Sequence, residues 1–234
     1  MTELRERVLK LRNQHLAKGD PLGWFEALYS AAGEDSSGIP WADLEPNPNL
    51  VVWCEREGLT GKGQALKVGC GLGDDAEYLS GLGYEVLAFD VAPSAITACK
   101  RRFPGSSVDY LVADLLAPSP CMQGAFDLVV EAYTLQVLPP ELQATAARSL
   151  ARALAPGGRL LVICRARDED EPCPGLHWPL TRSAFSTFEA EGLVEEHFED
   201  FLDGELPPVR RFRVSYRRPA KAEDQAGGCP LPSA

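Results

Sequence analysis

Short apolar runs recur through the middle of the chain, at 65–68 (ALKV), 85–89 (EVLAF), 108–112 (VDYLV), 126–130 (FDLVV) and 159–164 (RLLVIC). Between them, 74–82, 93–102 and 139–154 have helical character. Strands that alternate with helices pair side by side in a parallel sheet, and the helices cover both of its faces. Strands buried on both faces read as continuous apolar runs, as these do, rather than as alternating ones. Two further runs follow at 194–201 and 211–216, separated by Pro207 and Pro208 rather than by a helix. That spacing predicts an antiparallel pair closing one sheet edge.

The flanks have a different pattern. Leu4, Val8, Leu11 and Leu16 recur at roughly helical spacing, which predicts a helix over 3–18 stopped by Gly19, Asp20 and Pro21. Residues 21–48 hold Trp24, Phe25, Tyr29 and Trp41 among glycines and prolines, with a short helix expected only at Trp24–Ser30. Lys221–Ala234 is rich in Gly, Pro and Ser and is expected to be disordered. One domain is expected over 1–220, made of an N-terminal helix with an aromatic lid segment (1–48) and a core (49–220).

Composition narrows the function classes. A chain of 234 residues with 45% hydrophobic residues can bury one sizeable core. Its formal net charge of −11 disfavours a phosphate backbone or an anionic membrane as partner. No apolar run approaches a membrane span. The charged start, Met1–Lys10, does not read as a secretory signal. The seven cysteines contain no Cys-x-x-Cys pair, and no histidine stands at metal-ligand spacing from them, so no metal is expected. A reduced, cytoplasmic protein is the expectation.

The candidate chemistry begins at 65–77, ALKVGCGLGDDAE. A strand ending at Val68 is followed by Gly69, Cys70, Gly71, Leu72 and Gly73, and a helix starts at Asp74 or Asp75. Glycines suit a sharp turn and also a place where a ligand lies against the backbone, with free helix N–H groups nearby. The pattern is G-x-G-x-G rather than the G-x-G-x-x-G of dinucleotide enzymes. Asp90 ends the second strand, where an acid can accept from a ribose diol or can cap the helix near Pro93. Asp114 follows the third strand, either as a loop carboxylate or at an adenine edge.

These segments resemble class I S-adenosylmethionine (SAM) dependent methyltransferases. VGCGLG is similar to that family's first motif, FDVAP to its ribose-binding strand end and VADLL to its adenine-binding motif. FDLVVEAYTLQVLPP resembles the motif beside the transferred methyl, and LAPGGRLLVI the last helix–turn–strand of the core. The resemblance covers roughly 65–165 and implies a doubly wound, mostly parallel α/β sheet of seven strands with the last antiparallel. DPLGWFEALYSAAGEDSSGIPWADLEPNPNLV and GLHWPLTRSAFSTFE are similar to the thiopurine, halide and thiol methyltransferase branch, with Trp178 where that branch shows Tyr. The branch implies a small soft nucleophile as acceptor: a thiol, thiocyanate, halide or related molecule.

By this resemblance, Gly69, Cys70, Gly71 and Gly73 contact the methionine part of SAM. Asp90 with Val91 holds the ribose, and Asp114 with Leu115 the adenine. Glu131 and Tyr133 border the sulfonium, and Trp41 closes over the cofactor. Trp24, Phe25, Tyr29, Tyr133, His177 and Trp178 are candidate acceptor contacts, although the first three can equally be packing residues. Tyr133 is the candidate for orienting or deprotonating the acceptor. His15 and His197 are expected at the surface. Lys67 departs from the family, which often has an acid there. A lysine inside a central strand needs a partner, and Asp90 and Glu131 are the expected ones. Two other functions fit the same segments, a non-catalytic SAM-binding protein and a nicotinamide-dependent oxidoreductase.

Overall fold

The computed structural model describes residues 2–173 and 175–220. Cys229 and the tail expected to be disordered lie outside the described residues.

A seven-stranded sheet forms the centre of the protein. Its strands are β1 (Gln64–Val68), β2 (Glu85–Asp90), β3 (Asp109–Val112), β4 (Phe126–Ala132), β5 (Leu154–Arg165), β6 (Val194–Leu202) and β7 (Arg210–Arg217). They lie in the order β3-β2-β1-β4-β5-β7-β6. The β1–β5 strands pair in parallel, while β7 runs antiparallel to both β5 and β6. The late antiparallel pair is therefore present, but its second strand sits inside the sheet and its first forms the edge. Leu160, Leu161, Val162, Ile163 and Cys164 are all fully buried. They lie in a central strand covered on both faces, which is why their sequence shows no alternation.

The helices are α1 (Thr2–Leu16), α2 (Gly23–Ala32), α3 (Pro48–Arg56), α4 (Asp74–Gly81), α5 (Pro93–Arg102), α6 (Pro140–Ala153) and α7 (Ser186–Ala190). Proline stands in the first turn of α3, α5 and α6, where its missing N–H costs nothing. Asp74, Asp75 and Glu77 fill the first turn of α4, and Lys100, Arg101 and Arg102 the last turn of α5, each favourable to its helix dipole.

The sequence pattern missed α3 and α7 and ended α2 early. In α3 the run Leu50–Cys54 is apolar and partly β-branched, which resembles a strand. The decisive local signal is Asn47, whose Oδ1 accepts from the N–H of Asn49 at 2.9 Å just before Pro48. Segment 21–48 is thus more regular than its glycines and prolines suggest. Glu26 accepts hydrogen bonds from Ser94 N (2.9 Å) and Ser94 Oγ (2.7 Å), fastening α2 to the start of α5.

None of the helices among the described residues is long and apolar enough to cross a membrane. Cys54, Cys70, Cys99, Cys121, Cys164 and Cys173 are free thiols.

Candidate active site

The carboxyl ends of the parallel strands open into a cavity of about 840 Å³. In open α/β sheets, ligands bind at this place. The cavity lies where the strand order reverses, between β1 and β4.

Three residues of the glycine turn have positive φ: Gly69 (53°), Gly71 (55°) and Gly73 (95°). This is backbone that other residues adopt only under strain. Space constrains the turn as well. A Cβ on Gly69 would sit 2.3 Å from Thr134 Oγ1, and one on Gly73 2.6 Å from the Tyr110 hydroxyl.

Asp90 holds the turn from the neighbouring strand. Its Oδ2 accepts from Gly71 N and its Oδ1 from Ala92 N, both at 3.0 Å. Burial pushes the Asp90 carboxyl above its usual value, while those N–H donors and the Lys67 charge pull it back. Asp114 lines the same end of the cavity and accepts from Leu116 N at 2.8 Å. Cys70, Val91 and Leu115 line it too.

Lys67 does not pair with Asp90 or Glu131 as expected. Its Nζ donates to the carbonyl of Val68 at 3.0 Å and lies 3.5 Å from Asp75 Oδ2, at the start of α4. The first turn of α4 supplies the counter-charge because it begins directly above the end of β1.

Over the turn, Trp41 Nε1 donates to the Tyr29 hydroxyl at 2.9 Å, and the Trp41 and Tyr29 rings meet edge to face with centroids 6.2 Å apart. Phe25, Tyr29 and Trp41 all face the cavity. Trp24 does not line it: the side chain is fully buried with Val8, Leu28, Val137 and Leu176 and fastens α2 to the body of the protein.

Tyr133 has φ 66°, an uncommon conformation for a bulky side chain at the end of a strand. Its hydroxyl accepts from Asn49 Nδ2 at 3.2 Å, and the Arg211 guanidinium stands 4.5 Å over its ring. Burial raises the phenol above its usual value in spite of Arg211, so at neutral pH it is a hydrogen-bond donor and not a base. Glu131 does not line the cavity. It is fully buried, its Oε1 accepts from Thr134 N (2.6 Å) and Leu135 N (2.9 Å), and its Oε2 has no partner among the described residues. Burial lifts this carboxyl to about 7. It braces the turn that places Tyr133.

His177 lines the far end of the cavity. Burial and then the charges of Arg165, Arg5, Arg211 and Arg12 push its imidazole down to about 3, so it is neutral. Trp178 faces away from the cavity: Arg12 stacks 4.2 Å from its ring centroid, and its N–H donates to the carbonyl of Gln136. His15 pairs with Asp20 at 2.9 Å, and His197 is exposed. Asn49, Gln136, Arg165 and Arg211 carried no signal in the chain, and the fold brings them to the same cavity from four separate segments.

Residues 65–158 match a family model described as a methyltransferase domain. Over this stretch the chain is similar to class I methyltransferases. A 2-heptyl-1-hydroxyquinolin-4(1H)-one methyltransferase of Mycobacteroides abscessus is 30% identical over 146 residues, covering 59% of this chain and 62% of that protein. A probable thiol methyltransferase 2 of Arabidopsis thaliana is 24% identical over 139 residues, covering 58% of this chain and 60% of the relative. The chain thus spans about three fifths of the length of these curated relatives. A structure solved in work on the conversion of a disulfide bond into a thioacetal group during echinomycin biosynthesis superposes with a TM-score of 0.68 at 26% identity, covering 85% of this chain and 91% of that one. The family model, the fold and the glycine turn agree on a methyltransferase domain over these residues.

Proposed function

We propose that this protein is a SAM-dependent methyltransferase acting on a soft nucleophile, a thiol or its like, carried by a small molecule. The observation that supports this most is that one cavity joins the glycine turn and Asp90 to an aromatic and polar chamber at Tyr133.

The residues present fit the cofactor. The cavity's volume suits a ligand of that size, within the range of roughly 300–1,000 Å³ common for small-molecule sites. Asp90 and Asp114 stand along the strand ends with lone pairs left for a diol and an adenine amine. Carboxylates and the faces of Phe25, Tyr29 and Trp41 suit a cationic sulfonium. When bound, SAM supplies a methyl group on positive sulfur, open to in-line displacement by the acceptor.

The chain's own residues would then do three things. The turn at Gly69–Gly73 and Asp90 fix the cofactor's position. Phe25, Tyr29 and Trp41 exclude water, which matters because the displacement depends on alignment and desolvation. Tyr133, held by Asn49, directs its hydroxyl hydrogen at the acceptor and orients it. No side chain in the cavity is set up as a strong base, which is consistent with an acceptor that is already anionic or ionises easily. The 24% identical relative named as a probable thiol methyltransferase supports the thiol.

Calorimetric titration with S-adenosylhomocysteine (SAH), SAM and NADH tests the cofactor, followed by mass detection of methylated products from a panel of thiols. Binding of the first two without the third, with turnover on thiols, is the expected result. Binding without turnover on any acceptor would indicate a SAM-binding protein without catalysis. Failure of SAH and SAM to bind would overturn the proposal.

A further inference from the structure

The two ends of the cavity differ in charge. At the glycine turn, Asp74 is held by Arg102 through two bonds of 2.7 Å, and Asp75 by Lys67. Asp90 and Asp114 also line that end, with no ion-pair partner among the described residues. Arg5, Arg165, Arg211 and His177 line the opposite end.

Two of the three arginines differ sharply in how they are satisfied. Arg211 is only 2% exposed and is paired with Asp203 at 2.6 Å and with Glu205. The half-buried Arg165 is held through its backbone alone: its N–H donates to Gln136 Oε1 and its carbonyl accepts from Leu180 N. Its guanidinium makes no hydrogen bond or ion pair with any described residue. Glu205, whose charge favours the Arg165 guanidinium, is already bound to Arg211, while the like charges of Arg211 and Arg5 act against it. A guanidinium taken partly out of water and surrounded by like charge is costly unless something supplies its acceptors.

We propose, building on the methyltransferase reading, that the acceptor carries a carboxylate that Arg165 binds, with Arg5 and the His177 ring beside it. The planar fork of a guanidinium matches the two oxygens of a carboxylate. His177 is neutral and adds one N–H donor without further charge. Phe25, Trp41 and Leu176 line the same chamber and suit a flat apolar body between the carboxylate and the reacting atom. A bare halide or thiocyanate cannot reach both ends, because its nucleophilic atom and its charge lie together. The acceptor is therefore an aryl or similarly flat acid with its nucleophile remote from the carboxylate.

The test titrates the full chain, with and without SAH, using para-mercaptobenzoate and its neutral partner para-mercaptobenzamide. The acid should bind at least roughly tenfold more tightly than the amide, the scale of a hydrogen bond to a charged group. That preference should disappear in Arg165→Gln and return in part in Arg165→Lys. The thermal midpoint of each variant shows that it is folded. Equal binding of acid and amide, a preference that survives Arg165→Gln, or no binding of the acid at millimolar concentration would overturn the carboxylate site. If the acid's preference depends on Arg165 while SAH does not bind, the cofactor reading falls and the carboxylate site stands. SAH binding without the preference has the opposite meaning.

Discussion

The ammonium of Lys67 lies 3.5 Å from Asp75 Oδ2, so a buried strand residue and the first turn of α4 form one ion pair beneath the glycine turn. Lys67 is 2% exposed, and the Asp75 side chain 14%. Asp75 Oδ1 also accepts from Asn47 N at 2.7 Å, which links the pair to the cap of α3. Lys67→Met leaves a shielded carboxylate alone and should lower stability by about 3 kcal/mol, as expected when one partner of a buried pair is removed. The double variant Lys67→Met/Asp75→Asn should recover much of that loss in denaturant titrations. Lys67→Met should also raise SAM affinity relative to SAH, because the lost charge repels only the sulfonium.

Asp90→Asn should weaken SAH binding by about tenfold or more, the scale of a hydrogen bond to a charged group. An amide oxygen can replace only one of the two acceptors that Gly71 N and Ala92 N now use. Calorimetry on the variant, alongside its thermal midpoint, separates loss of binding from loss of fold. An unchanged affinity would remove Asp90 from the cofactor site.

Glu131 predicts a pH effect. Its folded carboxyl titrates at about 7 because burial raises it. A free glutamate titrates near ~4.3. Between these values the unfolded chain has released its proton and the folded protein keeps it, so this residue lowers stability as pH rises through the window. Glu131→Gln stays neutral throughout. Its thermal midpoint relative to the parent should rise from about pH 5 to about pH 8. A difference that stays constant with pH would mean that the carboxyl is ionised throughout.

Gly69→Ala should cost stability on two counts. The left-handed conformation at φ 53° strains any Cβ, by roughly 1–2 kcal/mol. The new methyl would also lie 2.3 Å from Thr134 Oγ1. Adding Thr134→Gly should relieve the contact but not the strain, so the double variant should fall between Gly69→Ala and the parent in chemical denaturation.

Much of the fold was legible in the chain. The run at Arg159–Cys164, bounded by Gly157 and Gly158, reads as a strand covered on both faces, and G-x-G-x-G followed by acids reads as a turn from strand into helix. Helix α3 was hidden because Leu50–Cys54 is as compatible with a strand as with a helix, and only the Asn47 cap and packing of Trp53 decide it. Trp24 and Trp178 are candidate acceptor contacts in the sequence, and Trp41 a candidate cofactor contact. Side chains on neighbouring residues of a helix or loop diverge, so of the three only Trp41 faces the cavity.

The sequence by itself determined the alternation of strands and helices, the glycine turn and the acids that follow β2 and β3, because these depend on local periodicity and on backbone that few residues tolerate. Tertiary structure decided the partner of Lys67, the inward position of β7 and the grouping of Arg5, Arg165, Arg211 and His177. Those depend on which segments meet across the sheet, and charged side chains carry no periodic signal that reveals their neighbours in space.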